Sequence, residues 1–247
     1  MSAVSLRGVS KTFGTGGRAV TALADVDLEV RHGEFVCLIG ASGCGKSTIL
    51  NLVAGLDAPT SGDVDVDGDT ALMFQDAALF PWLTVQANVE LPMKLAGLAK
   101  AERRARATQL IESVHLGAFA GKRPHQLSGG MRQRGALARA LAQDADVLLM
   151  DEPFGALDAM TRDTLHDELD AHVRTRDLTV LFVTHNVREA ARLGDRIVVM
   201  SPRPGRVTAS FDVDIERPRR IDSPEVATIA AEVTDQLREE VLAHARS

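Results

Sequence analysis

Five short, mostly apolar runs recur along the chain, at positions 34–39, 71–74, 147–150, 180–183 and 197–200. Apolar runs of this length are typical of strands that are buried on both faces of a parallel sheet. The segment 5–30 instead alternates apolar and polar residues in places, and a glycine-rich break at 14–17 interrupts it. That pattern predicts antiparallel strands joined by a turn.

Two other parts of the chain have helical spacing. Apolar residues recur every three or four positions between 85 and 142, and again in the tail from about 223. We therefore predict one α/β domain. Its predicted parts are a core at 1–84 and 146–222, an inserted helical subdomain at 85–145 and a C-terminal helix at 223–247. Packing of that last helix on the protein's own core is favoured over contact with a partner.

Composition excludes several classes of protein. The 247 residues are 45% hydrophobic and 25% charged, as in ordinary soluble proteins, and the net charge of −6 argues against a nucleic-acid partner. No apolar run approaches the roughly 18 residues that a membrane span needs, and the first residues do not open a signal peptide. The two cysteines, Cys37 and Cys44, suggest neither a disulfide framework nor a metal site. These features predict a protein of the reducing cytosol that could still dock on a membrane protein.

The run GASGCGKST at 40–48 follows the first apolar run and precedes apolar residues at helical spacing. A strand, a glycine loop and a helix form the context that the phosphate-binding pattern G-x-x-x-x-G-K-S requires. The glycines allow backbone N–H groups to surround phosphate oxygens, and the helix N-terminus adds partial positive charge. Lys46 would reach the β- and γ-phosphates, and Ser47 would ligate Mg²⁺. The predicted phosphate-binding residues are Gly40, Ser42, Gly43, Cys44, Gly45, Lys46, Ser47 and Thr48.

Two side chains near this loop carry separate expectations. Cys44 lies in an electropositive loop near a helix N-terminus, so we expect its thiol to react faster than that of Cys37, which the strand should bury. Phe13 precedes the glycine-rich break, and the chain contains no tyrosine. Phe13 is therefore the best local candidate to stack on a nucleotide base, with packing in the core as the alternative.

Polar residues follow three of the apolar runs. Gln75 follows the second, Asp151 and Glu152 follow the third, and His185 closely follows the fourth. Ligands in open α/β sheets bind at the carboxyl ends of strands, so these side chains should share an edge with the phosphate loop. Asp151 would hold Mg²⁺ and Glu152 would polarise a water for in-line attack on the γ-phosphate, while Gln75 would touch the metal or that water. The alternatives are that the two acids and Gln75 are merely solvated and that His185 has a structural role.

The segment Ser128-Gly129-Gly130 directly precedes another helical pattern. Ser128 is typical of a helix N-cap, which would be a purely structural role. The functional interpretation is a second phosphate-binding helix terminus, at which two glycines admit a phosphate closely.

From about residue 5 to about residue 213, these pieces together resemble the ATP-binding subunit of ABC transporters. In this resemblance 40–48 is similar to the Walker A loop, 147–152 to the Walker B strand, 127–133 to the signature and 155–158 to the D-loop. Gln75 is similar to the Q-loop glutamine and His185 to the switch histidine, whereas Met131 replaces the usual signature glutamine. The resemblance implies a P-loop NTPase (RecA-like) core with an antiparallel β subdomain and an inserted helical subdomain.

The resemblance also implies cofactors and partners. ATP and Mg²⁺ would bind between two copies of the chain, so that Ser128, Gly129 and Gly130 of one copy meet the γ-phosphate on the other. A narrower resemblance to nitrate, sulfonate and taurine importers rests on segments 74–76, 79–85, 131–134 and 202–206. It implies a membrane permease, an extracytoplasmic solute-binding protein, a place at the cytoplasmic face of the membrane and an oxyanion as cargo. The aromatic run 80–82 would receive a permease helix, or else pack inside the helical subdomain.

Two other functions remain open at this point. A soluble ABC ATPase could act on a non-transport partner, although the chain has neither a second cassette nor a long coiled coil. A P-loop kinase would transfer phosphate to a metabolite, and the signature together with the histidine argues against it.

Overall fold

The computed structural model describes residues 2–245 of the chain. Its strands are β1 (Ser2–Phe13), β2 (Val20–Arg31), β3 (Phe35–Gly40), β4 (Ser61–Val66), β5 (Thr70–Met73), β6 (Val147–Asp151), β7 (Thr179–Val183), β8 (Arg196–Met200) and β9 (Val207–Asp212). Its α-helices are α1 (Lys46–Val53), α2 (Val85–Leu95), α3 (Lys100–Ser113), α4 (Gly129–Leu141), α5 (Ala159–Arg176), α6 (Val187–Leu193) and α7 (Pro224–Ala245).

The larger sheet has six strands in the order β5-β6-β7-β3-β8-β9. Neighbouring strands are parallel except β8 and β9, which are antiparallel. The central strands are buried on both faces, as their apolar runs predict, and every residue of β7 is buried. The carboxyl ends of β6, β7, β3 and β8 therefore lie side by side, and the phosphate loop leaves β3 at this edge.

A smaller antiparallel sheet, in the order β2-β1-β4, covers one face of the larger one. Its inward residues, such as Val4 and Leu6, share an apolar cluster with Val36 and Leu38 of β3 and with Ile49 of α1. The opposite face of the larger sheet packs against helices in a second apolar cluster. The antiparallel pair predicted for segment 5–30 is confirmed and begins earlier, at residue 2.

Three helices, α2, α3 and α4, lie between β5 and β6, within the segment predicted to be helical. Side-chain caps begin two of them: Thr84 Oγ1 accepts from the Ala87 N–H at 3.1 Å, and Ser128 Oγ accepts from the Met131 N–H at 3.2 Å. The predicted N-cap role of Ser128 is therefore confirmed.

The C-terminal helix α7 packs on the core through Val226, Ala230 and Val233, all of which are buried. It contacts α6 and β8, so core packing is confirmed for this part of the helix. Val241 and Leu242, nearer its end, are exposed. None of the helices within residues 2–245 combines the length and the apolar character needed to cross a membrane.

One predicted strand ends earlier than expected. β5 stops at Met73, and Phe74, which the apolar run 71–74 included, is exposed beyond the end of the strand. The apolar pattern could not separate the buried strand from the exposed residue that follows it, because both are hydrophobic.

Candidate functional site

The loop between β3 and α1 has the backbone of a phosphate cradle. Gly43 and Gly45 have φ values of 77° and 97°, which side-chain-bearing residues rarely adopt. A Cβ on Gly45 would overlap the Leu23 side chain, whereas a Cβ on Gly43 would meet nothing within 4 Å. Gly43 therefore faces open space at the mouth of the loop. The N–H groups of the first turn of α1 have no partner within the helix, so they are available to an anion.

Lys46 is held by the loop itself. Its Nζ donates to the carbonyl oxygens of Gly40 at 2.8 Å and Ala41 at 3.1 Å, and the residue is buried. Carbonyl partners leave the ammonium charge uncompensated, so the phosphates of a nucleotide would be stronger partners for this group.

Cys44 does not face the site. Its side chain is buried in the apolar cluster under the loop, with Sγ 3.6 Å from the Lys46 Nζ. Both thiols are buried, so the loop does not leave the Cys44 thiol open to solvent. Burial raises the pKa of the Cys37 thiol well above its ordinary value, and the expectation that Cys44 reacts faster than Cys37 stays a prediction. Only the backbone of Cys44 can belong to the phosphate cradle.

Asp151 stands at the end of β6, where the Ser47 hydroxyl lies close to its carboxyl. Burial raises the pKa of Asp151, because desolvation penalises the carboxylate, and the charge of Glu152 acts in the same direction. The Ser47 hydroxyl and the Lys46 charge act in the opposite direction. The pair supplies hydroxyl and carboxylate oxygens, which are the ligand atoms that Mg²⁺ prefers.

This raised pKa predicts that Asp151 costs stability at neutral pH. A group whose pKa is higher in the folded than in the unfolded state stabilises the fold at low pH, and that stabilisation is lost as pH rises through the folded pKa. We expect Asp151→Asn to raise the melting temperature of the nucleotide-free protein at pH 7, and the gain to shrink as pH falls toward roughly 4. Thermal melts of the variant and the wild type between pH 4 and pH 7 check this prediction. The control is Asp76→Asn, which changes an exposed acid. A lower melting temperature for Asp151→Asn at pH 7 would contradict it.

Glu152 is the centre of a second polar group. Its Oε2 lies 3.2 Å from the His185 Nδ1 and 3.5 Å from the Gln75 Nε2. Its backbone N–H donates to the Val183 carbonyl at 2.9 Å, and its φ is 47°, in the left-handed region. Such a backbone costs energy for a residue with a side chain and is found most often at functional sites. The structure thus brings Gln75, Glu152 and His185 together at the edge predicted for them.

Phe13 lies at the other end of the same cleft. Its ring is 45% exposed, with the Lys11 Nζ 5.0 Å from its centroid, so it is not packed in the core. The cleft measures about 380 Å³. Its lining residues are Phe13, Val20, Ala22, Ser42, Gly43, Gly45, Lys46, Ser47, Thr48, Gln75, Asp151, Glu152 and Arg203. The predicted base-stacking residue, both acids and most of the predicted phosphate-binding residues therefore line one continuous space, whereas Gly40, Cys44 and His185 do not line it.

The segment 128–130 does not line this cleft. Gly130 packs instead against the turn 155–158: a Cβ there would come within 2.9 Å of the Leu157 side chain and 3.2 Å of the Ala156 carbonyl. Gln133 ties the same helix to this turn, since its Oε1 accepts from the Ala156 N–H at 3.0 Å. Within one chain the helix terminus at 128–130, predicted to bind a second phosphate, is thus separate from the cleft.

A buried polar network behind His185 was not predicted. Glu189 accepts from the hydroxyl of Thr184, the residue before His185, and lies 2.9 Å from the His166 Nε2. The Arg192 Nη1 lies 3.2 Å from the His166 Nδ1. A guanidinium can only donate, so the Nδ1 accepts and the proton stands on the Nε2, which donates to Glu189. The network joins α5 and α6 to the loop that carries His185.

A larger cleft of about 1130 Å³ lies between α5 and the segment 218–222. Its charged side chains pair with one another, as Arg192 does with Asp163 and Asp167. It lacks a glycine loop and an exposed aromatic ring, so the smaller cleft is the better nucleotide site. The fold and that smaller cleft define a P-loop protein that binds a nucleoside triphosphate.

Comparison with known proteins supports this class. The family model for ABC transporters matches residues 23–155. The chain is 45% identical over 236 residues to the taurine import ATP-binding protein TauB of Rhizobium johnstonii, which covers 92% of this chain and 90% of that protein. It is 44% identical over 205 residues to the nitrate import ATP-binding protein NrtD of Synechocystis sp., covering 80% of this chain and 77% of that protein.

A solved structure agrees with these relatives. The dimeric ATP-binding cassette MJ0796, in a post-hydrolysis state bound to ADP and Pi, superposes with a TM-score of 0.80 at 35% identity. The match covers 86% of this chain and all of that chain. The chain therefore belongs to the ABC transporter family, among its ATP-binding subunits. The expected P-loop NTPase fold is thereby confirmed.

Proposed function

We propose that this chain binds and hydrolyses ATP and thereby drives solute import through a separate membrane permease. The observation that carries the proposal is one cleft that joins the glycine loop to Asp151, Glu152 and an exposed aromatic ring. The import ATP-binding relatives supply the direction of transport. A soluble ATPase with a non-transport partner is not favoured, because these relatives are import subunits.

Hydrolysis would use Glu152 as the general base. Its carboxylate stands beside the glycine loop, where it could take a proton from a water aligned with the γ-phosphate. His185 and Gln75 hold the same carboxylate oxygen from two strand ends, which keeps it aimed into the cleft. The His185 side chain is 70% exposed and does not itself line the cleft, so it acts on the cleft through Glu152.

The residues present fit Mg²⁺ and the phosphate chain. Ser47, Asp151 and Gln75 provide three oxygen ligands, and Mg²⁺ is commonly bound through one or two carboxylates together with phosphates. When bound, the ion would neutralise charge between the β- and γ-phosphates. The chain's own part is to orient these ligands, to offer backbone N–H groups from 43–48 and to bring the Lys46 ammonium to the phosphates.

Two copies of the chain would complete the site. Ser128, Gly129 and Gly130 begin a helix whose N-terminus lies away from the cleft of its own chain, so these residues are available to the nucleotide on a partner copy. The structural relative MJ0796 is dimeric with ADP and Pi bound, which supports a sandwich of this kind.

The transport partners are a permease and an extracytoplasmic binding protein, which would place this chain at the cytoplasmic face of the membrane. The names of the relatives favour an oxyanion such as taurine or nitrate as cargo. An exposed aromatic pair, Phe80 and Trp82, offers a surface for a permease helix. Trp82 is 66% exposed and packs against Phe80 in a tilted arrangement, with a centroid distance of 5.4 Å. Aromatic side chains are enriched at the centres of interfaces.

Replacing Trp82 separates docking from folding. Because its ring is mostly exposed, we expect Trp82→Ala to keep the melting temperature and the ATPase rate of the isolated protein. Transport reconstituted with its partner permease should fall by at least tenfold, as for loss of an interface hot spot of roughly 2 kcal/mol.

The control for this variant is Leu56→Ala, which removes an exposed apolar side chain beyond the end of α1. It should leave transport unchanged. Normal transport with Trp82→Ala would remove Trp82 from the permease interface, and a large drop in its melting temperature would mean that the ring is structural after all.

A further inference from the structure

The turn that follows β8 is closed by its own hydrogen bonds. The Ser201 N–H donates to the Arg206 carbonyl and the Arg206 N–H donates to the Ser201 Oγ, both at 3.0 Å. The Ser201 hydroxyl donates to the Pro204 carbonyl at 3.2 Å. The turn therefore holds the residues between 201 and 206 in one arrangement.

This turn is also braced against the phosphate loop. The Gly205 N–H donates to the Ala22 carbonyl at 2.9 Å, and the Gly205 carbonyl accepts from the Ala24 N–H at 3.0 Å. A Cβ at position 205 would overlap the carbonyl oxygen of Cys44, inside the loop. The contact requires glycine, and it fixes the turn relative to both the loop and β2.

The side chain that this turn presents to the cleft is Arg203. It lines the space that Phe13 and the glycine loop also line, and it is exposed. Within residues 2–245 its guanidinium has no hydrogen bond or ion pair. The turn extends from β8, whereas Asp151 and Glu152 extend from β6 on the other side of β3. Arg203 thus enters the cleft from the side opposite the two acids.

We infer that Arg203 is a nucleotide-binding residue, whose guanidinium contacts the phosphate chain at the end nearest the base. The inference rests on the proposed function, that this cleft takes ATP. A guanidinium without a protein partner beside a phosphate cradle has the charge and planar fork that phosphate oxygens match. Phe13 is the candidate for the base, and Ser47 with Asp151 marks the end that holds the terminal phosphate. Arg203 lies away from that end, because its turn leaves β8, on the opposite side of β3 from β6 and Asp151.

Equilibrium binding of ATP, ADP and adenosine tests the inference, by displacement of a fluorescent nucleotide in the presence of EDTA so that nothing is hydrolysed. Arg203→Ala should raise the Kd for ATP and for ADP by the same factor, about tenfold, which is the lower range for a charge-assisted hydrogen bond at an exposed site. Competition by adenosine should be unchanged. Arg203→Lys keeps the charge without the fork and should recover part of the loss.

The matched control is Arg206→Ala, which removes an exposed guanidinium from the same turn but outside the cleft. It should bind all three ligands as the wild type does. Equal ATP binding by Arg203→Ala and wild type would overturn the inference. A loss confined to ATP would place the contact at the terminal phosphate, and an equal loss for adenosine would place it on the nucleoside. Both outcomes contradict the assignment. Failure of the wild type itself to bind ATP would refute the proposed function instead.

Discussion

Glu152→Gln is expected to bind Mg-ATP and to hydrolyse it about 10²–10⁴ times more slowly than the wild type, the usual cost of losing a general base. The amide has nearly the same shape, so the contacts of this position with Gln75 and His185 can persist. It cannot accept a proton from the attacking water. Binding and hydrolysis should therefore separate, with Kd nearly unchanged and kcat lost.

Phosphate release and nucleotide binding should be measured on the same preparation. Because ATP that is not hydrolysed stays in the closed site, the variant should also accumulate as an ATP-bound dimer on size-exclusion chromatography. Asp76→Asn, an exposed acid near Gln75, serves as the control and should hydrolyse normally. Near-normal turnover by Glu152→Gln would remove Glu152 from the role of base.

Glu189→Ala is expected to destabilise the fold by about 3–5 kcal/mol, because it leaves two buried donors, the His166 Nε2–H and the Thr184 hydroxyl, without an acceptor, at roughly 1–3 kcal/mol each. For a chain of this size the melting temperature should fall by roughly 6–20 °C. Glu189→Gln can still accept from the Thr184 hydroxyl, but it presents an amide to a histidine that donates. The loss should therefore be intermediate.

The matched control for this prediction is Glu168→Ala, an exposed glutamate on α5. Its melting temperature should stay within a degree or two of the wild type. Glu189 orders Thr184, which directly precedes His185, so the hydrolysis rate of Glu189→Ala measured well below its melting temperature should fall as well. A melting temperature for Glu189→Ala equal to that of the control would show that the network contributes little to stability.

Much of the fold and of the site could be predicted because the signals are local. Unbroken apolar runs predicted the buried parallel strands, and the glycine loop with its flanking strand and helix predicted the position of Lys46. The carboxyl-end rule for parallel strands then predicts that Gln75, Glu152 and His185 share one edge. Each step needed only short-range sequence and one general property of sheets.

The features that escaped prediction depend on long-range packing. The direction of the Cys44 side chain depends on the apolar cluster beneath the loop, which the loop sequence does not describe. The place of Arg203 depends on the adjacency of β3 and β8, which are separated by most of the chain. The sequence signal for Arg203 is a Pro-Arg-Pro-Gly turn after a strand. That signal points to the cleft only once the strand order is known.

The central claim is that two copies share each ATP site, and a mixed dimer tests it most directly. Lys46→Ala disables the phosphate loop. Gly130→Asp places a negative side chain at the helix terminus that would meet the γ-phosphate, in a position where even a Cβ is crowded by Leu157. Each variant alone should form an inactive homodimer.

In a mixed dimer both lesions fall in one shared site, and the other site keeps an intact Lys46 and an intact Gly130 from opposite copies. ATP occlusion and hydrolysis should be measured together on a dimer purified with two different tags. We expect mixing to restore ATP occlusion at one site. Hydrolysis should return as well if one intact site can turn over alone. If neither signal returns in a verified mixed dimer whose subunits are both folded, the shared-site account is contradicted.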